Sequence, residues 1–398
     1  MIHKEFILHK RYFKYLFCLS IIFFSCENKH LIKKGELDYL TIEEYQLTDI
    51  QIDEEEDMIK TFEKVATISL DKDPSLELAW GISLFVVNGI LEIDNRIIEN
   101  LHPDLRKGLF EKPGQYDAIA RINVTTAGAA RISIRLAVPE DMDFLEECNS
   151  PSYDGFRQID LLLAENFKTF IAPDTRSVNL ALNLKHNPSI IDALLNPYTT
   201  YKLIRNKKNL GEKPLNNTEG FFGKSFYSGL PFKLGPSAMK FGIQALQSYA
   251  LKSENIPGGE PGISMSGIEQ DVASIYAKSM EDFFLKNNFA IFDFVIQIAK
   301  DPNHSIDIGD KPWSEEISPY LPVGKFIIPS QKFSGADNKL QEFKDRLQFN
   351  PWNQLKAHKP LGPLNRARYE LYKRHSLIRA EKMTNVKSFK RCPVNNRF

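Results

Sequence analysis

Arg368, Tyr372 and Arg379 are separated by steps of four and then seven residues. On a helix turning about 100° per residue, those steps return to nearly one direction, so two guanidiniums and a phenol share a stripe. A free phenol keeps its proton up to a pH of roughly 10, and a fixed positive charge one turn away favours the phenolate. As phenolate, tyrosine is among the few side chains that can hold a haem iron. A second arginine two turns on suits an anionic group such as a propionate. Spacing alone fits an amphipathic surface helix at least as well, so the neighbouring segments must decide.

The 398 residues suffice for one large domain with decoration, or for two domains. With 51 basic and 51 acidic side chains the formal charge is zero, which removes any electrostatic case for nucleic acid or an anionic membrane surface. Residues 1–26 read as an export signal. Lys4, Lys10, Arg11 and Lys14 precede a short apolar run, Tyr15 to Phe24, that ends in Ser25-Cys26. The run is too short for a permanent span. A small residue before cysteine resembles a bacterial lipoprotein cleavage site, so Cys26 is expected to carry lipid, with the chain membrane-attached and periplasm-facing. An ordinary signal peptide or an uncleaved anchor would export the chain as well. Cys148 and Cys392 then remain, and are expected as two unpaired thiols.

Residues 27–70 read as a tether followed by a leading helix from Asp57 to Val65. The acidic run Asp53–Asp57 is a solvated helix start rather than a calcium loop, whose ligand spacing it lacks. Strand-like sequence begins near residue 77 and fills one long stretch to Ile93. Ala118–Val124 and Ala130–Val138 read as a hairpin, and Asp160–Leu163 and Thr169–Ala172 continue the sheet. Residues 177–206 look helical with a break at Pro197. Gly223–Leu246 and Phe289–Ala299 supply further strands, with an amphipathic helix from Ile268 to Leu285 between them. Antiparallel strands interrupted by helices, without a βαβ rhythm, predict an α+β barrel. A single domain over residues 71–390 is expected. Asn216-Asn217-Thr218 matches a glycosylation pattern, incidental in a chain of this kind.

Several segments resemble the haem catalases, and in particular the short catalase-like proteins that lack a C-terminal flavodoxin-like domain. Phe349–Arg379 resembles their haem-ligand helix most closely. Gly108–Asn123 is similar to the segment entering the family's Arg-Phe-Ser strand, with Arg121 in place of an arginine that meets a haem propionate. Asp160–Asp174 resembles the strand carrying the distal asparagine and pocket phenylalanine, which puts Asn166 and Phe170 at those positions. Phe226–Phe241 looks like later barrel strands. Phe292–Ile298 and Leu321–Ile328 look like the final strand and the wrapping segment. The resemblance implies a catalase-like antiparallel β-barrel with a wrapping segment and a C-terminal haem-ligand helix. It implies haem b as cofactor, Tyr372 as axial iron ligand, and Arg368, Arg379, Arg121 and Phe170 as haem contacts. Homo-oligomers are a further possibility of the family.

The family's distal histidine has no counterpart. Aligning Asn88–Ile93 with the end of the first barrel strand puts Gly81 at the histidine position, and no histidine lies between His30 and His102. Asn166 could hydrogen-bond a peroxide but cannot exchange protons near neutral pH. His375, three residues after Tyr372, is a candidate partner of a propionate. His102, His186, His304 and His358 read as structural or surface groups. Three functions follow as expectations. The first is a divergent peroxidase or catalase acting weakly on hydrogen peroxide or organic hydroperoxides. The second is a non-catalytic haem-binding lipoprotein for storage, sensing or delivery. The third is a barrel that has lost haem, which the Arg-Tyr-Arg stripe argues against.

Overall fold

Strands in which apolar residues alternate with polar ones bury one face and leave the other to be covered separately. Here eight such strands close a ring. The computed structural model describes residues 31–33, 39–42, 49–72, 81–125, 130–152, 154–165, 168–170, 172–186, 200–201, 221–246, 278–332 and 347–382. β1 (Leu31–Lys33) and β2 (Leu40–Ile42) form a separate two-stranded sheet, which β2 fastens to the barrel through Leu40 N to Ala299 O at 2.8 Å. The barrel uses β3 (Gly81–Ile93), β4 (Gly114–Thr125), β5 (Ala130–Pro139), β6 (Phe156–Glu165) and β7 (Phe226–Tyr227). It is completed by β9 (Ser237–Ala245), β10 (Phe289–Ile298) and β11 (Leu321–Pro329), while β8 (Phe232–Leu234) hangs from β9 as a hairpin. The order β10-β11-β3-β4-β5-β6-β7-β9, closed by β9 on β10, is antiparallel throughout. The α+β antiparallel barrel expected from the sequence is therefore present.

The inner face is a single apolar cluster. Ala118, Ala120 and Ile122 of β4, Ile132, Ile134 and Leu136 of β5, and Ile159, Leu161 and Leu163 of β6 all enter it, as do Phe241, Phe292, Phe294 and Phe326. The alternate residues point outward. Val86, Ile119 and Ala137 pack there under Leu347 and Phe349. Gly324 lets β11 approach β3, since a Cβ at that position would meet the carbonyl oxygen of Glu92.

Four helices are described over their full length, α1 (Asp49–Lys72), α2 (Asn95–Ile98), α3 (Thr175–His186) and α4 (Gly362–Lys382), and a further helical stretch is described at 278–284. Met58, Phe62 and Val65 of α1, Leu182 of α3, and Ala367 and Leu371 of α4 form their own core. Gly362, with φ +82°, opens α4 where a side chain would strike the carbonyl of Ile306.

The structure revises several expectations. The leading helix starts at Asp49 rather than Asp57. The acidic run is not wholly solvated either, because Glu55 pairs with Arg366 at 2.9 Å across the contact with α4. Leu321–Ile328, read as wrapping sequence, lies within a barrel strand, and the stretch from 347 runs along the outside of the barrel instead. Thr169 and Phe170 lie in no strand. β6 stops at Glu165, which pairs with Lys224 at 2.6 Å, and the Phe170 amide donates to Gly309 O at 2.8 Å. Helical structure is described at 175–186 of the predicted 177–206 and at 278–284 of the predicted 268–285; the rest of both segments is largely outside the described residues. No helix among the described residues is long and apolar enough to cross a membrane. The export signal, Cys26, Asn166 and Cys392 fall outside the described residues.

Candidate site between the C-terminal helix and the barrel wall

On α4, Asn365, Tyr369, Tyr372 and Ser376 are spaced by four, three and four residues, which puts them on one stripe. That stripe faces the barrel and the 347–356 strap. The Asn365 side-chain amide donates to Pro231 O at 2.7 Å, the Tyr369 ring lies 5.4 Å from that of Trp352, and the Gln348 amide donates to Ser376 O at 3.4 Å. The opposite side of α4 meets α1, through Arg366 to Glu55 and Arg374 to Glu63 at 2.7 Å.

Tyr372 is held from its own helix. Arg368 donates through Nη2 to Tyr372 Oη at 3.4 Å and through Nη1 to Asn365 Oδ1 at 2.9 Å. Asn365 in turn is fixed by Pro231 and accepts from Trp352 Nε1 at 2.7 Å. A continuous chain of hydrogen bonds thus runs from the barrel through Asn365 and Arg368 to the phenol oxygen. Arg379 continues the same stripe on α4, seven residues further.

The barrel wall opposite carries a polar patch that sequence reasoning missed. The register pairs Ser83 of β3 with Asn123 of β4, and Asn123 with Arg131 of β5. All three alternate with inward residues and therefore face outward. The next row pairs Val86, Arg121 and Ser133. Arg131 lies within electrostatic reach of Tyr372 and of Arg368. Burial draws its guanidinium pKa downward, Tyr372 opposes that, and Arg368 adds to it. Ser83 Oγ is buried with no hydrogen-bond partner among the described residues, a costly condition for a hydroxyl. The signal was in the sequence: Arg131-Ile-Ser-Ile-Arg135 puts polar residues on three successive outward positions of one strand.

Of the predicted residues, Arg368 and Tyr372 are brought together. Arg121 lies apart from that pair. It is buried on the outer wall, donating to Leu347 O, with its guanidinium carbon 4.6 Å from the Phe349 ring centre. Phe170 is half-buried beside Gly309. Gly81 begins β3 opposite Thr125, two residues before Ser83 and on the same outward face. His375 is turned the other way, its ring edge-on to Phe62 of α1 at 6.3 Å. His358 is structural: Nε2 accepts from the Leu109 amide at 3.0 Å, and burial pushes its pKa down to about 4. No group of three potential metal-ligating side chains occurs among the described residues.

Comparison with other proteins gives fold-level likeness only. No family model and no curated protein matches the chain. Among solved structures, a fungal catalase aligns at 13% identity and TM-score 0.46, covering 76% of this chain and 58% of its own. A bacterial catalase aligns at 14% identity and TM-score 0.44, covering 76% and 56%. The chain thus spans less than three fifths of the length of either.

Proposed function

We propose that the chain is an exported, catalase-like protein that binds haem b through Tyr372 and acts weakly on hydrogen peroxide or organic hydroperoxides. The observation that carries this reading is the Arg368–Tyr372 hydrogen bond, presented on the stripe of α4 that faces the barrel wall. The donor set suits the cofactor. A tyrosine is a side chain able to hold ferric haem iron, with the Arg368 guanidinium beside its oxygen, and the barrel wall carries a buried Ser83 hydroxyl with no hydrogen-bond partner among the described residues. Bound haem would supply the redox chemistry.

The chain's own groups divide the remaining tasks. Arg368 would orient Tyr372 through its Nη2 hydrogen bond to the phenol oxygen. Arg379 and Arg121 are assigned to propionates; Arg121 would share its guanidinium with Leu347 O. Asn166 and Phe170 are assigned to the distal pocket. No histidine stands on the outward face of β3, and Gly81 supplies no proton acceptor there. Proton transfer from a peroxide would therefore be slow there. That same feature favours the second reading, a non-catalytic haem carrier or sensor. Export and lipidation at Cys26 belong to the proposal, and Cys26→Ala should release the protein from membranes.

Reconstitution of the full chain with haemin tests the reading. One equivalent should bind with a tyrosinate-type ferric spectrum, and Tyr372→Phe should lose that spectrum. Failure to take up haem stoichiometrically would sink both readings. Where haem binds, oxygen release from peroxide separates them, and rates typical of efficient catalases would contradict the missing distal base.

A further inference from the structure

We infer that residues 301–318 form an acid-sensitive clasp: a proton taken up by His304 frees Trp313 from the outer wall of β9 and loosens the start of α4. The clasp acts on how the helical layer is held and needs no bound haem.

The clasp is built around one indole. Trp313 is buried, its Nε1 donates to Ser305 O at 3.0 Å, and the His304 ring lies flat on it, with centroids 5.2 Å apart and planes at 6°. Lys240 of β9 sets its Nζ 5.1 Å from the centre of the same ring. The Gln297 side-chain amide on β10 donates to Trp313 O at 3.2 Å and to Ser318 O at 2.8 Å, which fastens the far end of the segment to the barrel. The middle of the segment seats α4. Ile306 shares an apolar cluster with Trp313, against which Leu361 packs. Gly309 lies so near α4 that a Cβ there would strike the Leu364 side chain.

This place suits a neutral imidazole. His304 Nδ1 accepts from the Lys300 amide at 3.2 Å, which assigns the ring proton to Nε2. A second proton would set one N–H against another and lose that bond. Nε2 is buried with no hydrogen-bond partner among the described residues, and the whole side chain is 1% exposed, so a charged ring would be poorly solvated. Burial accordingly holds the His304 pKa below the ordinary histidine value, and Lys240 on β9 and Lys311 on the segment itself add to the lowering. Asp301 opposes it, as does Ile298 O, which already accepts from Ser318 Oγ at 2.6 Å. The other neighbours, Leu40 of β2 and Leu361, are apolar. With the clasp open, His304 titrates near its free value of about 6.5. Each pH unit below that favours the open form by about tenfold, until the closed value is reached.

Amide exchange of the full chain, corrected for the intrinsic effect of pH, is the test, with the His304 imidazole followed by NMR. Between about pH 7.5 and about pH 5, protection of residues 301–318 should fall at least tenfold. Protection of residues 362–371 should fall with it, while β4 and β5 keep theirs. The midpoint of the fall should coincide with the titration of His304, and His304→Gln, which cannot gain the proton, should abolish the fall. Unchanged protection in the parent overturns the inference, and so does an undiminished fall in His304→Gln. Equal loss over β4 and β5 would be general acid unfolding and overturns it too. If His304→Gln leaves the segment open at both pH values, the parent decides. Coincident midpoints then uphold the clasp, and midpoints more than one pH unit apart refute it.

Discussion

Lys240 illustrates how much one buried charge can cost. It sits on the outer face of β9, fully buried, with Nζ donating to Lys168 O at 3.0 Å and lying 5.1 Å from the Trp313 ring centre. Burial pushes its amine down to about 7, and His304, stacked on Trp313, is also held down chiefly by burial. Because the folded value lies below the unfolded one, the penalty is absent above about pH 10.5. It grows as pH falls to about 7 and is constant below, reaching roughly 5 kcal/mol at 1.36 kcal/mol per unit. Lys240→Met should therefore be more stable than the parent at pH 7, with the gain fading by about pH 10.5. Urea titrations of both proteins across that range check this; parallel pH profiles would refute it. Gly81 carries the complementary residue-scale prediction. A side chain there joins the outward face that holds Ser83, so Gly81→His should raise peroxide turnover of the haem-loaded chain. A Gly81→His protein that binds haem yet stays inert would show that the strand alignment is wrong. Both sites differ in legibility. The absence of histidine is plain in the sequence, whereas the burial of Lys240 depends on Trp313, some seventy residues away.

The strap at 347–356 is the element that ties α4 to the barrel, and Asp160 of β6 is its latch. This fully buried carboxylate accepts from Arg135 Nε at 2.7 Å, from the Asn350 amide at 2.9 Å and from Asn353 Nδ2 at 2.8 Å. Its backbone takes part as well, its amide donating to Asn353 O and its carbonyl accepting from Gln354 Nε2. Asp160→Ala leaves the Arg135 guanidinium without its carboxylate and should cost about 3–5 kcal/mol. It should also loosen haem retention through Trp352 and Asn365, since that pair anchors the α4 stripe. A variant as stable as the parent would show that the strap is held elsewhere. This latch explains what the sequence could and could not show. The strands, the β4–β5 hairpin and the α4 stripe are legible because period-two and helical spacings are local. The Arg368–Tyr372 pair was found for the same reason. The wall opposite was missed because Ser83, Asn123 and Arg131 meet only through register, which no single strand reveals. Thr169–Ala172 misled because an apolar run next to a strand extends it on paper, while β6 in fact stops at Glu165, which Lys224 pairs.

Among the described residues, two of the apolar clusters meet at α4, and the candidate site lies at the seam between them. One fills the barrel, built from the inward residues of β3–β6 and the phenylalanines of β9–β11. The other joins α1, α3 and α4 through Met58, Phe62, Leu182 and Leu371. Tyr372 packs on the helical core while its stripe faces the outer wall of the barrel. Neither core needs haem to fill its interior, so the chain should fold without it, and any ligand-linked stabilisation should fall on the helical layer. A ligand at a hundred times its Kd adds about 2.7 kcal/mol, which for a chain of this length raises Tm by only a few degrees. Amide exchange is the sharper measurement, because local opening reports each layer separately. Haemin should slow exchange in α1, α3 and α4 and leave β4, β5 and β9 largely unchanged. Both the Tm rise and the helical protection should vanish in Tyr372→Phe, with barrel exchange unaltered. Protection spread equally over the barrel strands would place the bound group inside the ring. In that event Tyr372, on the far side of a filled core, could not be its ligand.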